Sequence, residues 1–89
     1  MSKTLGYIVM EQCEDYQQAL VIRTCKGFPP GGLLDWARSD ADPRAVFNDR
    51  ASARAAISRT EHYRLAYGEP HKWPERKFCV VVPLRKATP

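Results

Sequence analysis

Alternation of apolar and polar positions opens the chain. From Gly6 to Gln12, Tyr7, Val9 and Glu11 point one way and Ile8, Met10 and Gln12 the other. Period two with β-branched and aromatic side chains predicts a strand. Glu14-Asp15, at the centre of Cys13 to Tyr16, predicts a turn, and Gln18 to Cys25 resumes the alternation. Two such runs with a short link predict a hairpin. Lys26-Gly27-Phe28-Pro29-Pro30-Gly31-Gly32 then breaks both periods, because proline lacks the donor and glycine admits left-handed turns. Leu33 to Ala37 predicts one helical turn over the sheet, and Ala45 to Phe47 a short edge strand.

A helical period begins at Asn48 or Asp49, either of which can cap exposed backbone N–H groups. Ala53, Ala56, Ile57 and Thr60 make its inner stripe, and small alanines allow close approach to a sheet. The helix is read as ending near Thr60 to His62, because Tyr63, Leu65 and Tyr67 then alternate as in extended chain; a helix continuing to Tyr67 is the alternative. Residues 68–75, interrupted by Pro70 and Pro74, predict a loop. Lys77 to Leu84 is apolar on both faces and predicts the central strand, with Pro83 limiting its length and residues 85–89 a flexible tail.

The expected fold class is α+β: a mostly antiparallel sheet of three to five strands, one main helix packed on one face, order β-β-(β)-α-(β)-β. Eighty-nine residues make a single compact domain, 1–89. The 44% apolar and 27% charged content is that of a globular chain. Apolar runs such as Cys79 to Pro83 are far short of the ~20 residues that span a bilayer, so no membrane partner is expected. No apolar segment follows Lys3 as a secretory signal would. Three cysteines, Cys13, Cys25 and Cys79, fit a reducing compartment, and the expected location is cytoplasmic.

Charge divides the chain lengthwise. Residues 1–43 carry four basic and six acidic side chains, residues 44–89 ten and four, so net −2 faces net +6. Chemical motifs are absent around the basic half. Gly27, Gly31 and Gly32 follow a strand without the Gly-Lys-Ser/Thr ending that holds phosphate and magnesium, and the prolines remove amide donors there. Cys13, Cys25, His62, His71 and Cys79 contain no close ligand pair of the zinc type. Neither a cofactor nor a metal is expected. A small cysteine-dependent enzyme would use Cys25 with His62 or His71, but nothing in the spacing brings them together. Among the carboxylates, Asp35, Asp40, Asp42 and Glu61 are no better specified as an acid–base pair.

The remaining signal is basic and aromatic. Arg50, Arg54, Arg59, Tyr63, Arg64, Tyr67, Lys72, Trp73 and Arg76 are the candidate binding residues. Arginine, tyrosine and tryptophan dominate protein-interface hot spots, so a non-catalytic protein-binding inhibitor or adaptor is the expected function. Phe28-Pro29-Pro30 offers an additional recognition loop. A nucleic-acid-binding module is the alternative, since arginine forks suit phosphate and aromatic rings stack on bases. Complementary halves also permit a homodimer. In plan and size the chain resembles compact α+β proteins encoded by phages and mobile elements. That resemblance implies a protein that occupies a host protein or nucleoprotein complex.

Overall fold

A computed structural model describes residues 4–67 and 70–85. Strand β1 (Thr4–Cys13) lies at the centre of a three-stranded antiparallel sheet, flanked by β2 (Tyr16–Ala19) and by the last strand, β5 (Cys79–Arg85). Glu14-Asp15 closes the β1–β2 hairpin, with Cys13 opposite Tyr16. β5 is therefore an edge strand and not the central one, and Arg85 belongs to it and not to a tail. Residues 86–89 lie outside the described residues.

Pro83 explains the edge position. The Tyr7 amide and carbonyl both bond to Phe47 (2.8 and 2.7 Å), and the Val9 carbonyl accepts from the Leu20 amide (2.9 Å). These groups point away from β5. The Tyr7–Pro83 and Val9–Val81 pairs are consequently the non-hydrogen-bonded pairs of the ladder. The missing proline donor thus falls on the open side of β5, the one place a strand tolerates it.

The expected strand over residues 18–25 divides at Leu20. The chain leaves the first sheet there, and β3 (Val21–Arg23) pairs antiparallel with β4 (Leu33–Asp35) instead. Leu20 is fully buried; its amide bonds to Val9 and its carbonyl accepts from the Ala45 amide (3.0 Å). Where Leu33 to Ala37 was expected to form a helical turn, Leu33 to Asp35 accordingly forms strand and Trp36-Ala37 follow it without regular structure. Gly32, at φ +76°, feeds the chain into that pairing; a Cβ there would stand 2.5 Å from the Arg23 carbonyl oxygen. Around Ala45 to Phe47 the structure has only an isolated bridge between Phe47 and Tyr7, not a strand.

Helix α1 (Arg50–Ala66) is capped by Asp49, whose Oδ1 accepts from the Ser52 amide (2.7 Å). Its buried stripe is Ala53, Ala56, Ile57, Thr60 and Arg64. The helix does not end near residue 60. Tyr63 is half-buried whereas Leu65 and Tyr67 are 61% and 65% exposed. That asymmetry is a helical face, not a strand alternation. The Tyr67 amide bonds to the Tyr63 carbonyl (3.1 Å) and closes the last turn. Short 3₁₀ turns follow at Pro70–Lys72, where a loop was expected, and at Arg76–Phe78, which takes Lys77 and Phe78 out of the strand expected over Lys77 to Leu84.

Val9, Leu20 and Leu34 meet Ala53, Ala56 and Ile57 in the core, with Tyr7, Ile22, Trp36, Phe47, Cys79 and Val81 packed around them. Alanine on the helix brings α1 near the sheet, as its composition predicts. Thr60 fixes the spacing: its hydroxyl accepts from the Leu34 amide (2.9 Å) and donates to the Ala56 carbonyl (2.8 Å). The fold is α+β with one helix over antiparallel strands. No helix among the described residues is long and apolar enough to cross a membrane.

Candidate contact face

Proline and glycine turn the loop between β3 and β4 back toward α1. Its shape is held by the Phe28 amide on the Cys25 carbonyl (3.1 Å) and the Gly32 amide on the Pro29 carbonyl (3.0 Å). Phe28 meets Tyr63 and Trp73 edge to face at centroid separations of 5.4 and 5.5 Å, and Tyr63 meets Trp73 at 5.9 Å. Tyr67 lies tilted against Tyr63 at 4.5 Å. Interlocked rings of this kind gain more than area burial alone. Between loop and helix they leave a groove of about 810 Å³, lined by Gly27, Phe28, Pro29, Ser58, Arg59, His62, Tyr63, Ala66 and Tyr67.

Arg59 builds this groove. Its Nε donates to the Gly32 carbonyl (2.6 Å) and its Nη2 to the Gly31 carbonyl (3.2 Å). The guanidinium fork therefore ties the loop to the helix.

Arg64 is also committed internally. It is 8% exposed and donates to both Glu61 oxygens at 2.9 Å. Glu61 Oε2 accepts from the Arg76 amide as well (3.0 Å). The Arg64 guanidinium holds the Glu61 carboxyl below its ordinary range. This constellation clamps α1 to the second 3₁₀ turn and commits the largely buried Arg64 guanidinium to Glu61.

On the other flank of α1, Arg50, Arg54 and Arg76 line a second groove of about 360 Å³, together with Ile57, Ser58, Cys79, Val80 and Val81. Its lining holds no carboxylate, and among the described residues none of the three arginines is in an ion pair. The Arg50 guanidinium rests 5.0 Å above the Tyr7 ring, an attraction to the ring face. Ser58 lines both grooves. The exposed side of α1 is thus one surface, aromatic on one flank and cationic on the other.

Of the nine residues expected from the sequence, this surface gathers Arg50, Arg54 and Arg76 on one flank and Arg59, Tyr63 and Tyr67 on the other. Trp73 supports it from behind through Phe28 and Tyr63. Lys72 stands apart, in a depression beside Asp35, Trp36 and Arg38, and Arg64 is buried. Sequence reasoning did not place Ser58 or His62 in a contact face: Ser58 showed only as a polar position of the helical period, and His62 was weighed only as a base or metal ligand. The acidic half is partly neutralised within the fold: Arg23 donates to Asp35 (3.2 Å) and Asp42 (2.7 Å). Arg23 and the Arg38 amide hold the Asp42 carboxyl below its ordinary range.

Cys25 is exposed and donates to the Lys26 carbonyl (3.6 Å), and it makes no hydrogen bond with either histidine. Burial and the nearby Glu11 and Glu61 carboxylates push the Cys79 thiol up to about 11, which suppresses the nucleophilic thiolate. Among the described residues no three His, Cys, Asp or Glu side chains are grouped to hold a metal. Comparison with protein-family models finds no match, and comparisons with curated proteins and with solved structures find no significant match.

Proposed function

We propose that this chain is a non-catalytic protein-binding domain, an inhibitor or adaptor that engages its partner through the exposed side of α1. The observation that carries this reading is Ser58, shared by an aromatic groove and an arginine groove that contains no carboxylate. Desolvated aromatic pockets anchor protein interfaces, and charge at the rim sets orientation and encounter rate. The partner chemistry that fits is an apolar side chain presented beside acidic residues. A nucleoprotein complex with such a protein surface fits equally. Three free cysteines support a reducing, cytoplasmic setting.

Direct nucleic-acid binding is favoured less by the aromatic geometry. Phe28, Tyr63 and Trp73 meet one another edge to face, whereas strand-binding platforms present successive open faces side by side. The test is affinity capture from the native lysate after nuclease treatment, comparing the parent with an Arg54→Glu, Tyr67→Ala double variant. The parent retains a specific protein and the variant loses it. Capture abolished by nuclease supports the nucleic-acid alternative, and no specific retention at any salt concentration contradicts both.

A further inference from the structure

Glu11 occupies an inward position of β1, in the alternation Tyr7, Val9, Glu11, where an apolar side chain is the ordinary choice. It is 3% exposed. Its partners are neutral, and both converge on one oxygen: Oε1 accepts from the Tyr16 hydroxyl (2.6 Å) and from the Trp36 indole N–H (2.7 Å). No basic side chain among the described residues pairs with it. Buried carboxylates are costly unless paired. Oε2 has no donor among the described residues, yet no fully buried side-chain oxygen there lacks a partner. Oε2 therefore opens onto the adjoining pocket.

That pocket has a volume of about 190 Å³, and its walls include Tyr16, Trp36, Trp73, Phe78 and a second carboxylate, Glu75. At roughly 30 Å³ per water-sized group, it accommodates about six heavy atoms. Aromatic faces with a desolvated carboxylate attract compact, weakly hydrated cations. Two of these groups already face a cation: the Lys77 ammonium stands 5.0 Å over the Phe78 ring and 3.4 Å from Glu75. We propose that the pocket between β1, Trp36 and Trp73 binds a compact organic cation of the methylated-ammonium class, with Glu11 as its counter-ion.

Both tryptophans of the chain line the pocket, so intrinsic fluorescence reports occupancy directly. The experiment titrates the full chain at pH 8 with choline, with Nα-acetyl-trimethyllysine amide, and with 3,3-dimethylbutanol, the neutral isostere of choline. A saturable fluorescence change with either cation, and none with the neutral isostere, is the expected result. Choline binding assigns a free headgroup; binding of the lysine derivative alone assigns a modified side chain. Glu11→Gln, which keeps an acceptor for Tyr16 and Trp36, weakens the response at least about tenfold. Phe78→Leu removes one aromatic wall and weakens it several-fold, which keeps the test open if Glu11→Gln does not fold. No response to either cation, an equal response to the isostere, or unchanged affinity in a folded variant overturns the proposal.

Discussion

Individual arginines on α1 divide by what their guanidinium groups touch. Arg64 and Arg59 are spent on Glu61 and on the Gly31-Gly32 carbonyls, whereas Arg54 is in no ion pair among the described residues. Truncating a buried ion-pair member strands its partner. Arg64→Ala should therefore cost about 2 kcal/mol in urea unfolding, below a fully enclosed pair because Glu61 keeps some solvent contact. Arg54→Ala should stay within about 0.5 kcal/mol of the parent. Equal losses would contradict this division. The same pair sets an acid dependence. Glu61 is held below its unfolded value of about 4.3 by Arg64. It contributes stability that is full above that value and is lost as the pH falls through the lower folded one. Asp42 and Asp49 shift in the same sense, so the thermal midpoint should drop below about pH 4. Glu61→Gln should make that drop shallower; an unchanged drop would show the carboxylate contributes nothing. Sequence could not separate these arginines, because helical spacing reports a face and not the end of a long side chain. Arg64 on the inner stripe was the one partial warning.

Elements followed the sequence where a local signal was strong. The hairpin about Glu14-Asp15, the Asp49 cap and the alanine stripe were all legible. Misreadings came where long-range pairing decided. Leu33 to Asp35 is strand because β3 and Thr60 supply its partners, and α1 extends past Thr60 because Tyr63 packs against Phe28 and Trp73. β5 looked central from its apolar content, yet a proline inside a strand is an edge signal. Edge strands invite intermolecular pairing unless a donor is removed. Pro83→Val should restore an outward N–H and promote self-association. Analytical ultracentrifugation checks this: the variant should sediment as a larger species with rising concentration. A variant as dispersed as the parent would mean that Pro83 does not guard the edge.

Across the whole molecule, the linear charge split becomes a narrower feature in three dimensions. Arg23 neutralises Asp35 and Asp42, and Glu61 neutralises Arg64. Around α1, Arg50, Arg54 and Arg76 stay outside the ion pairs among the described residues, beside an aromatic groove. The basic character of this flank was legible in the sequence; its junction with an aromatic groove was not, because Phe28 comes from a distant loop and Ser58 carries no compositional signal. The most direct test places a photo-crosslinking benzoylphenylalanine at Ser58, where the two grooves join, and separately at Gln17 on the opposite edge strand. After irradiation in nuclease-treated native lysate, position 58 should yield one discrete protein adduct that disappears with Arg54→Glu and Tyr67→Ala. Position 17 should yield none. Adducts of equal yield at both positions, or none at position 58, would contradict a partner seated on α1.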